Sequence, residues 1–558
     1  MQAQTWELKD SPSGSMLMQS EHLLLMHPKF AGQTNDVTDR HWMRIGDRTV
    51  QCTWTQNGCQ CIMQILAVES SDAFDISLRL TLTNDMALAK VDCFAEGTKL
   101  NFHDVINYRN RHRTHAVWPE LSLGNKDCTT DTTSRDWQFA PHPTLLHLKR
   151  HDFYLSFGVL QVPVGTFGMY FKASQYELKQ WSINFGGNES GQSLSTGETW
   201  TLPTFRLAFS QHSDSYATYA HFGKMIQAAS PIADSASAKQ DWWRAPLYCT
   251  WMDQCYAADA LPAQDLQNQG IECDMPNKRV LTEQLVRDVV QVIRENDLPF
   301  KTVLLDEGWH RSRGCWEPHP DRFPNMRELV DELHAQGLKV VVWWGWPDIE
   351  KAAEDHVPKS FLAGEGKRNS HGAVMYDYSN PLVQEQYLKP LFHKLFSSDK
   401  GCYDLDGIKT DFMADKIHAD MPLTDPTWRG EENYLVRMHE LFYGLLKTNK
   451  PDAIHIGCAG HYWLSPYIDI NRTYDVHSSN VMEHENRAKM LLSTTLNTPV
   501  AYDFHNFLDH LEEYFDSANK HGCSVQVGNV LYSRQDPFSK PILADQSYWN
   551  RLVAKLNT

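Results

Sequence analysis

From Pro246 onward the chain alternates short apolar runs with amphipathic helical stretches, eight times over roughly 290 residues, and that rhythm leaves few folds open. The apolar runs are PLYCTWM, FKTVLLDEGW, LKVVVWWGWP, DGIKTDF, AIHIGCAG, IDINRTYDV, TPVAYDF and CSVQVGNVLYS. They are nearly continuous in apolar residues, as strands covered on both faces are. The stretches between them carry helical periodicity. In 281–296, Leu281, Leu285, Val289, Val290 and Ile293 form one stripe at 3.6-residue spacing. The pattern predicts a parallel sheet wrapped by helices, and eight units predict a closed (β/α)8 barrel over 246–558. The final PILADQSYWNRLVAKLNT is expected to supply the closing helix. A doubly wound open sheet is the alternative, but no GxGxxG follows the first strand.

Residues 1–230 read differently. HLLLMH, VQCTWTQ, FDISLRLTLTN, DFYLSFGVLQVPV, TFGMYFKA and WTLPTFRLAFS are strand-like runs separated by Gly, Asn, Asp and Ser clusters. They predict an all-β sandwich. Around MIQAASPIADSASAK the composition turns to Ala and Ser, so a helix end and a linker over 231–245 are expected. With 558 residues, one hydrophobic core is excluded, since cores stop growing near about 250–300 residues. The expected fold is thus multidomain: an N-terminal β-sandwich followed by an α/β TIM barrel.

The formal net charge of −17 argues against nucleic acid or an anionic membrane as partner, because both require a basic footprint. No run reaches the roughly 18 apolar residues of a membrane span. The first twenty residues lack a basic region followed by an apolar one. The twelve Cys show no zinc-site spacing; Cys59 and Cys61 form a CxC without a second pair. A cytoplasmic protein with free thiols is expected, a processed secreted form being the alternative; self-association into a homo-oligomer stays open.

In a TIM barrel the chemistry sits at the C-terminal ends of the strands. Those ends are dense in carboxylates here: Asp306 and Glu307, Asp411, Asp475 and Asp503. One such Asp could be a helix cap. Several strand ends sharing one mouth, interleaved with Trp309, Trp343, Trp344 and Trp346, point to sugar binding and to glycosidic cleavage. Retaining cleavage needs two carboxyl groups about 5–5.5 Å apart, one nucleophile and one acid/base. Strands four and six are next-but-one neighbours, so Asp411 and Asp475 can face each other. Lys409 lies two residues before Asp411, on the same strand face, where its charge favours an ionised nucleophile. Arg472, three residues from Asp475, is assigned to substrate or structural contacts.

The barrel half resembles the α-galactosidase and raffinose-synthase-like retaining α-glycosidases, the clan that includes the melibiases. The motif run is Asp306-Glu307-Gly308-Trp309, Trp316, Phe323-Pro324-Asn325, His334-x-x-Gly337-Leu338-Lys339 and Trp343. Lys409-x-Asp411 is similar to the family's nucleophile motif, Cys458-Ala459-Gly460 to its strand-five element, and Arg472-Thr473-Tyr474-Asp475 to its acid/base motif. The resemblance spans about Pro246 to Ser533. It implies that the strand-two acidic pair holds sugar hydroxyls and that Cys458 lines the site. Asp-Glu here replaces a frequent Asp-Asp, Gly-Gly-x-Arg is not evident in GCAGHYWLSP, and little chain is left for a C-terminal β-domain.

The resulting expectation is hydrolysis of a terminal α-linked galactose or galactose-like sugar from an oligosaccharide or glycoside by double displacement, with no cofactor and no metal. The glycone stays open among galactose, N-acetylgalactosamine and an anhydrogalactose. A transglycosylase would use the same carboxylates. A metal-dependent barrel hydrolase could draw on the many His, though no HxH or HExxH falls on a strand end. A sugar-binding scaffold on an inactive barrel is disfavoured by the presence of both Asp411 and Asp475.

Overall fold

The computed structural model describes residues 6–557 apart from 10–13, 23, 35, 70–71, 107–120, 123–127, 132–144, 152, 166–167, 175, 186–191, 213, 230–239, 260–275, 346, 369–371, 412–420, 459–461, 474–480, 496–497, 506 and 537. The N-terminal part is two antiparallel sheets, of nine and ten strands. They pack face to face. Phe157, on a strand of the larger sheet, meets Trp181 of the other edge-on, with ring centroids 4.6 Å apart. Strand Ala73–Leu82 buries Ile76, Leu78, Leu80 and Leu82, every second side chain, in that core, as a half-covered sheet requires. The run HLLLMH becomes strand only from Met26, because Ser20 Oγ takes the His22 N–H and turns the chain first. Helix Ser215–Ala229 follows the sandwich.

Eight parallel strands then close into a barrel. We label them β1 (Leu247–Cys249), β2 (Thr302–Leu305), β3 (Lys339–Trp344), β4 (Gly407–Thr410), β5 (Ile454–Gly457), β6 (Ile470–Arg472), β7 (Val500–His505) and β8 (Ser524–Val527). Strand β8 pairs back onto β1, which removes every edge. The covering helices include α1 (Glu283–Glu295), α2 (Met326–Ala335), α3 (Lys389–Phe396), α4 (Glu431–Asn449), α5 (Val481–Thr494), α6 (Leu511–Lys520) and α7 (Gln546–Leu556). Helix α1 starts where Thr282 Oγ1 accepts the Leu285 N–H, and it buries Val286, Val289, Val290 and Ile293. Ahead of α3 the backbone runs as a π-turn over Gln384–Leu388, next to Pro390, which cannot donate to a regular helical ladder.

Strand alternation sorts the barrel residues into two layers. Leu247, Leu304, Val341, Ile454, Ile456, Ile470 and Ala501 point inward and form an apolar plug. Each such side chain, fully buried, contributes about 1.5–3 kcal/mol. Val340, Val342, Leu305 and Ile408 point outward into the layer under the helices. Sandwich and barrel are in direct contact: Trp463 Nε1 donates to the Leu160 carbonyl at 3.2 Å.

Candidate active site

Two residues beyond the last plug residue on five of the strands, the inward positions become polar. Leu304 is followed by Asp306, Val341 by Trp343, Ile456 by Cys458, Ile470 by Arg472 and Ala501 by Asp503; β4 adds Lys409 and Asp411. All of these side chains are buried. A single chain of contacts links them across the barrel. Lys409 Nζ lies 2.6 Å from Asp306 Oδ2 and 3.4 Å from Asp411 Oδ2. Arg472 spans three strands: Nη2 donates to Asp411 Oδ1 at 3.0 Å, Nη1 to Asp503 Oδ1 at 2.8 Å, and Nε to Cys458 Sγ at 3.2 Å. Trp343 Nε1 donates to Asp411 Oδ2 at 3.0 Å.

Asp411 is the best-supported anion of this set. Burial alone raises its pKa, but the Arg472 guanidinium and the Lys409 ammonium outweigh burial, and the pKa is lowered to about 2. Lys409 faces the same contest. Burial and Arg472 oppose its charge, yet Asp306 and Asp411 more than restore it, so its pKa lies above the ordinary lysine value. The result is a carboxylate whose ionised form is favoured, gripped at both oxygens, at the C-terminal end of a barrel strand. Each carboxylate oxygen retains lone-pair capacity beyond these contacts.

Asp306 and Glu307 part ways. Asp306 points inward and accepts from Cys249 Sγ at 3.1 Å and from the Glu307 amide at 2.8 Å. Gly308 follows at φ +122°, and a Cβ there would stand 2.7 Å from the Lys278 carbonyl oxygen, so only glycine makes this turn. The turn delivers Glu307 to Lys278 Nζ at 2.8 Å and Arg313 Nε at 3.1 Å, both of which also reach Glu350. Glu307 is therefore committed to a buried ion-pair knot and is not available as one half of a sugar-holding acid pair. The expectation for it is corrected accordingly.

The tryptophans also divide. Trp344 points outward, stacks on Trp316 with centroids 4.5 Å apart, and packs against Phe392 of α3 and Phe442 of α4. It is core between barrel and helices, which corrects its expected place in the sugar site. Trp309 is fully buried and its Nε1 donates to the Trp343 carbonyl at 2.8 Å, so it struts β3 and offers no open face. Trp343 reaches the site through its N–H edge, and its face is covered by His310. Asp475 and Trp346 lie outside the described residues.

Residues 267–498 match the family model for the glycosyl hydrolases family 31 TIM-barrel domain. An A type blood α-D-galactosamine galactosaminidase of Flavonifractor plautii is 35% identical over 260 residues, which cover 42% of this chain and 22% of that protein. A GH36 α-galactosidase of Geobacillus stearothermophilus superposes with a TM-score of 0.59 at 13% identity, over 99% of this chain and 74% of that one. The Lactobacillus brevis α-galactosidase gives 0.56 at 12% identity, over 99% and 72%. The fold is the one these α-galactosidases share. The chain spans less than a quarter of the curated relatives it matches.

Within this barrel, several site residues escaped sequence reasoning. Cys249 and Gln526 stand on β1 and β8 and touch Asp306 and Asp503 respectively. Counting by twos from an inward apolar residue would have found Cys249, two after Leu247. Lys278 and Arg313 had no such signal, because their role depends on a long-range approach to Glu307.

Proposed function

We propose that this protein is a retaining exo-α-glycosidase that releases a terminal α-linked galactose or galactose-type sugar from an oligosaccharide or glycoside. Asp411 attacks the anomeric carbon and forms a covalent glycosyl ester while the leaving oxygen takes a proton from Asp475. Asp475, now a base, activates the water that cleaves the ester, and the sugar leaves with its configuration retained. The reading rests on one observation: Arg472, Lys409 and Trp343 converge on the buried Asp411 carboxylate, an arrangement that favours its ionised form. Such a charge is the nucleophile that double displacement requires. The names of the similar proteins, galactosaminidase and α-galactosidase, support a galactose-type glycone.

The test is a panel of aryl α-glycosides with Asp411→Ala as control. Loss of covalent catalysis lowers kcat at least about 10³-fold. A fluorinated α-galactosyl fluoride that stalls the ester should add one sugar mass to the peptide containing Asp411. Turnover by Asp411→Ala at the wild-type rate would overturn the reading.

A further inference from the structure

We propose that Asp503 and Gln526 form a receptor for an amino group, so that the preferred glycone is an amino sugar carrying a free ammonium next to its anomeric carbon. The proposal rests on the glycosidase reading for the word glycone, and on geometry for the ammonium.

Asp503 and Gln526 are inward-facing neighbours on β7 and β8, 1% and 0% exposed. The Asp503 backbone is pinned on both sides: its N–H donates to Thr473 Oγ1 at 2.9 Å, and Tyr514 OH donates to its carbonyl at 2.8 Å. Its Oδ1 accepts from Arg472 Nη1 at 2.8 Å and from Gln526 Nε2 at 3.1 Å. Two acceptors are left over. Asp503 Oδ2 and Gln526 Oε1 meet no donor among the described residues, although both are buried. Turning the Gln526 amide over gives no relief, because it would set Oε1 against the carboxylate. A buried acceptor left unmade costs about 1–3 kcal/mol, so two adjacent ones call for a ligand rich in donors.

The identity of that ligand follows from hydrogen count and charge. A hydroxyl has one hydrogen and serves one acceptor, whereas an ammonium has three. Among the described residues of this layer, Asp306, Asp411 and Asp503 pair with Lys409 and Arg472, three carboxylates against two cations, and an ammonium restores balance. Placement agrees as well. The guanidinium of Arg472 bridges Asp411 and Asp503, so the two open acceptors lie one guanidinium away from the nucleophile. A substituent adjacent to the anomeric carbon falls within that reach. An N-acetyl group, with one N–H and no charge, satisfies the site poorly.

The experiment compares aryl α-galactosaminide, α-galactoside and α-N-acetylgalactosaminide as substrates, and D-galactosamine with D-galactose as ligands in thermal-shift titrations. The amine substrate should exceed both others in kcat/KM by at least about tenfold, as charge-assisted hydrogen bonds imply. In Asp503→Asn the amine-to-hydroxyl ratio should fall at least about tenfold, whatever happens to the absolute rates. If wild type prefers the galactoside, or the ratio is unmoved in Asp503→Asn, the receptor is refuted while the glycosidase reading stands. If no substrate turns over but galactosamine raises Tm more than galactose, the receptor stands and the glycosidase reading falls. Equal shifts from the two sugars together with no turnover overturn both. Should Asp503→Asn fail to fold, the wild-type substrate ranking and the ligand shifts decide alone.

Discussion

Trp343 and Asp411 stand on adjacent strands with the indole Nε1 3.0 Å from the carboxylate Oδ2, while the opposite side of the relationship is closed by His310, stacked 5.7 Å from the indole at 16°. Burial, with Lys278 and Arg313 nearby, pushes the His310 imidazole well below its ordinary pKa, so the ring behind Trp343 is neutral. The indole is thus a fixed donor aimed at a fixed anion. Its chemistry at this site is orientation of a carboxylate, not stacking on a sugar.

Trp343→Phe keeps the ring and deletes the donor. A hydrogen bond to a charged acceptor is worth about 1.5–3 kcal/mol, so kcat/KM should fall about 10–100-fold. The acid limb of the pH profile should move up, because a contact that favoured ionised Asp411 is gone. A pH–kcat/KM series on the variant reads both effects, and an unchanged limb would sever the link between the indole and Asp411.

Arg472→Met leaves Asp411 and Asp503 buried with one cation fewer. Breaking a buried pair from one side costs about 3–5 kcal/mol, so the urea midpoint should drop sharply. Without the guanidinium, burial dominates at Asp411 and its pKa climbs from about 2, which carries the acid limb of activity upward. Arg472→Lys should recover part of the stability and little of the activity, since an ammonium cannot fork between two carboxylates.

Acid sensitivity has a defined sign. Asp411 is lowered to about 2 in the folded chain, against about 3.9 for an unfolded aspartate. A depressed carboxylate stabilises fully above its unfolded pKa and loses that contribution as pH falls through its folded pKa. The stabilisation is on the order of 2–3 kcal/mol, and it should fade between about pH 4 and pH 2. Asp406 adds in the same direction: burial raises it, but His334 and Lys450 pull it below the ordinary range. Urea midpoints measured down that window should fall, and the fall should be shallower in Asp411→Asn.

All eight barrel strands could be read from the chain, because strands buried on both faces leave short, largely apolar runs and most are followed by a helical stripe; between β5 and β6 the described residues form only a 3-10 turn at Ser465–Tyr467. The pairing of Lys409 with Asp411 was equally legible, since two residues of separation fixes a shared face whatever surrounds it. Direction relative to the barrel axis was not. Trp343 and Trp344 are adjacent in sequence, and only the inward plug residue Val341 tells which of them enters the site. Arg472 could be assigned only loosely for the same reason, though two residues from Ile470 it had to point inward. Glu307 was misjudged because its partners Lys278 and Arg313 are brought to it by a glycine turn and a hairpin, neither of which local patterning reveals.

The corrected role of Trp344 yields the sharpest separation of stability from binding. The side chain is fully buried against Trp316, Phe392 and Phe442. Trp344→Ala removes a large core side chain and should destabilise by about 3–5 kcal/mol, as buried aromatic truncations do. At a temperature where the variant is still folded, KM should stay within about twofold of wild type, an energy difference below the usual worth of one hydrogen bond. A sugar platform behaves in the reverse manner: KM rises and Tm holds. Melting curves and saturation kinetics on the same preparation distinguish the two, and a raised KM with an unchanged Tm would return Trp344 to the site.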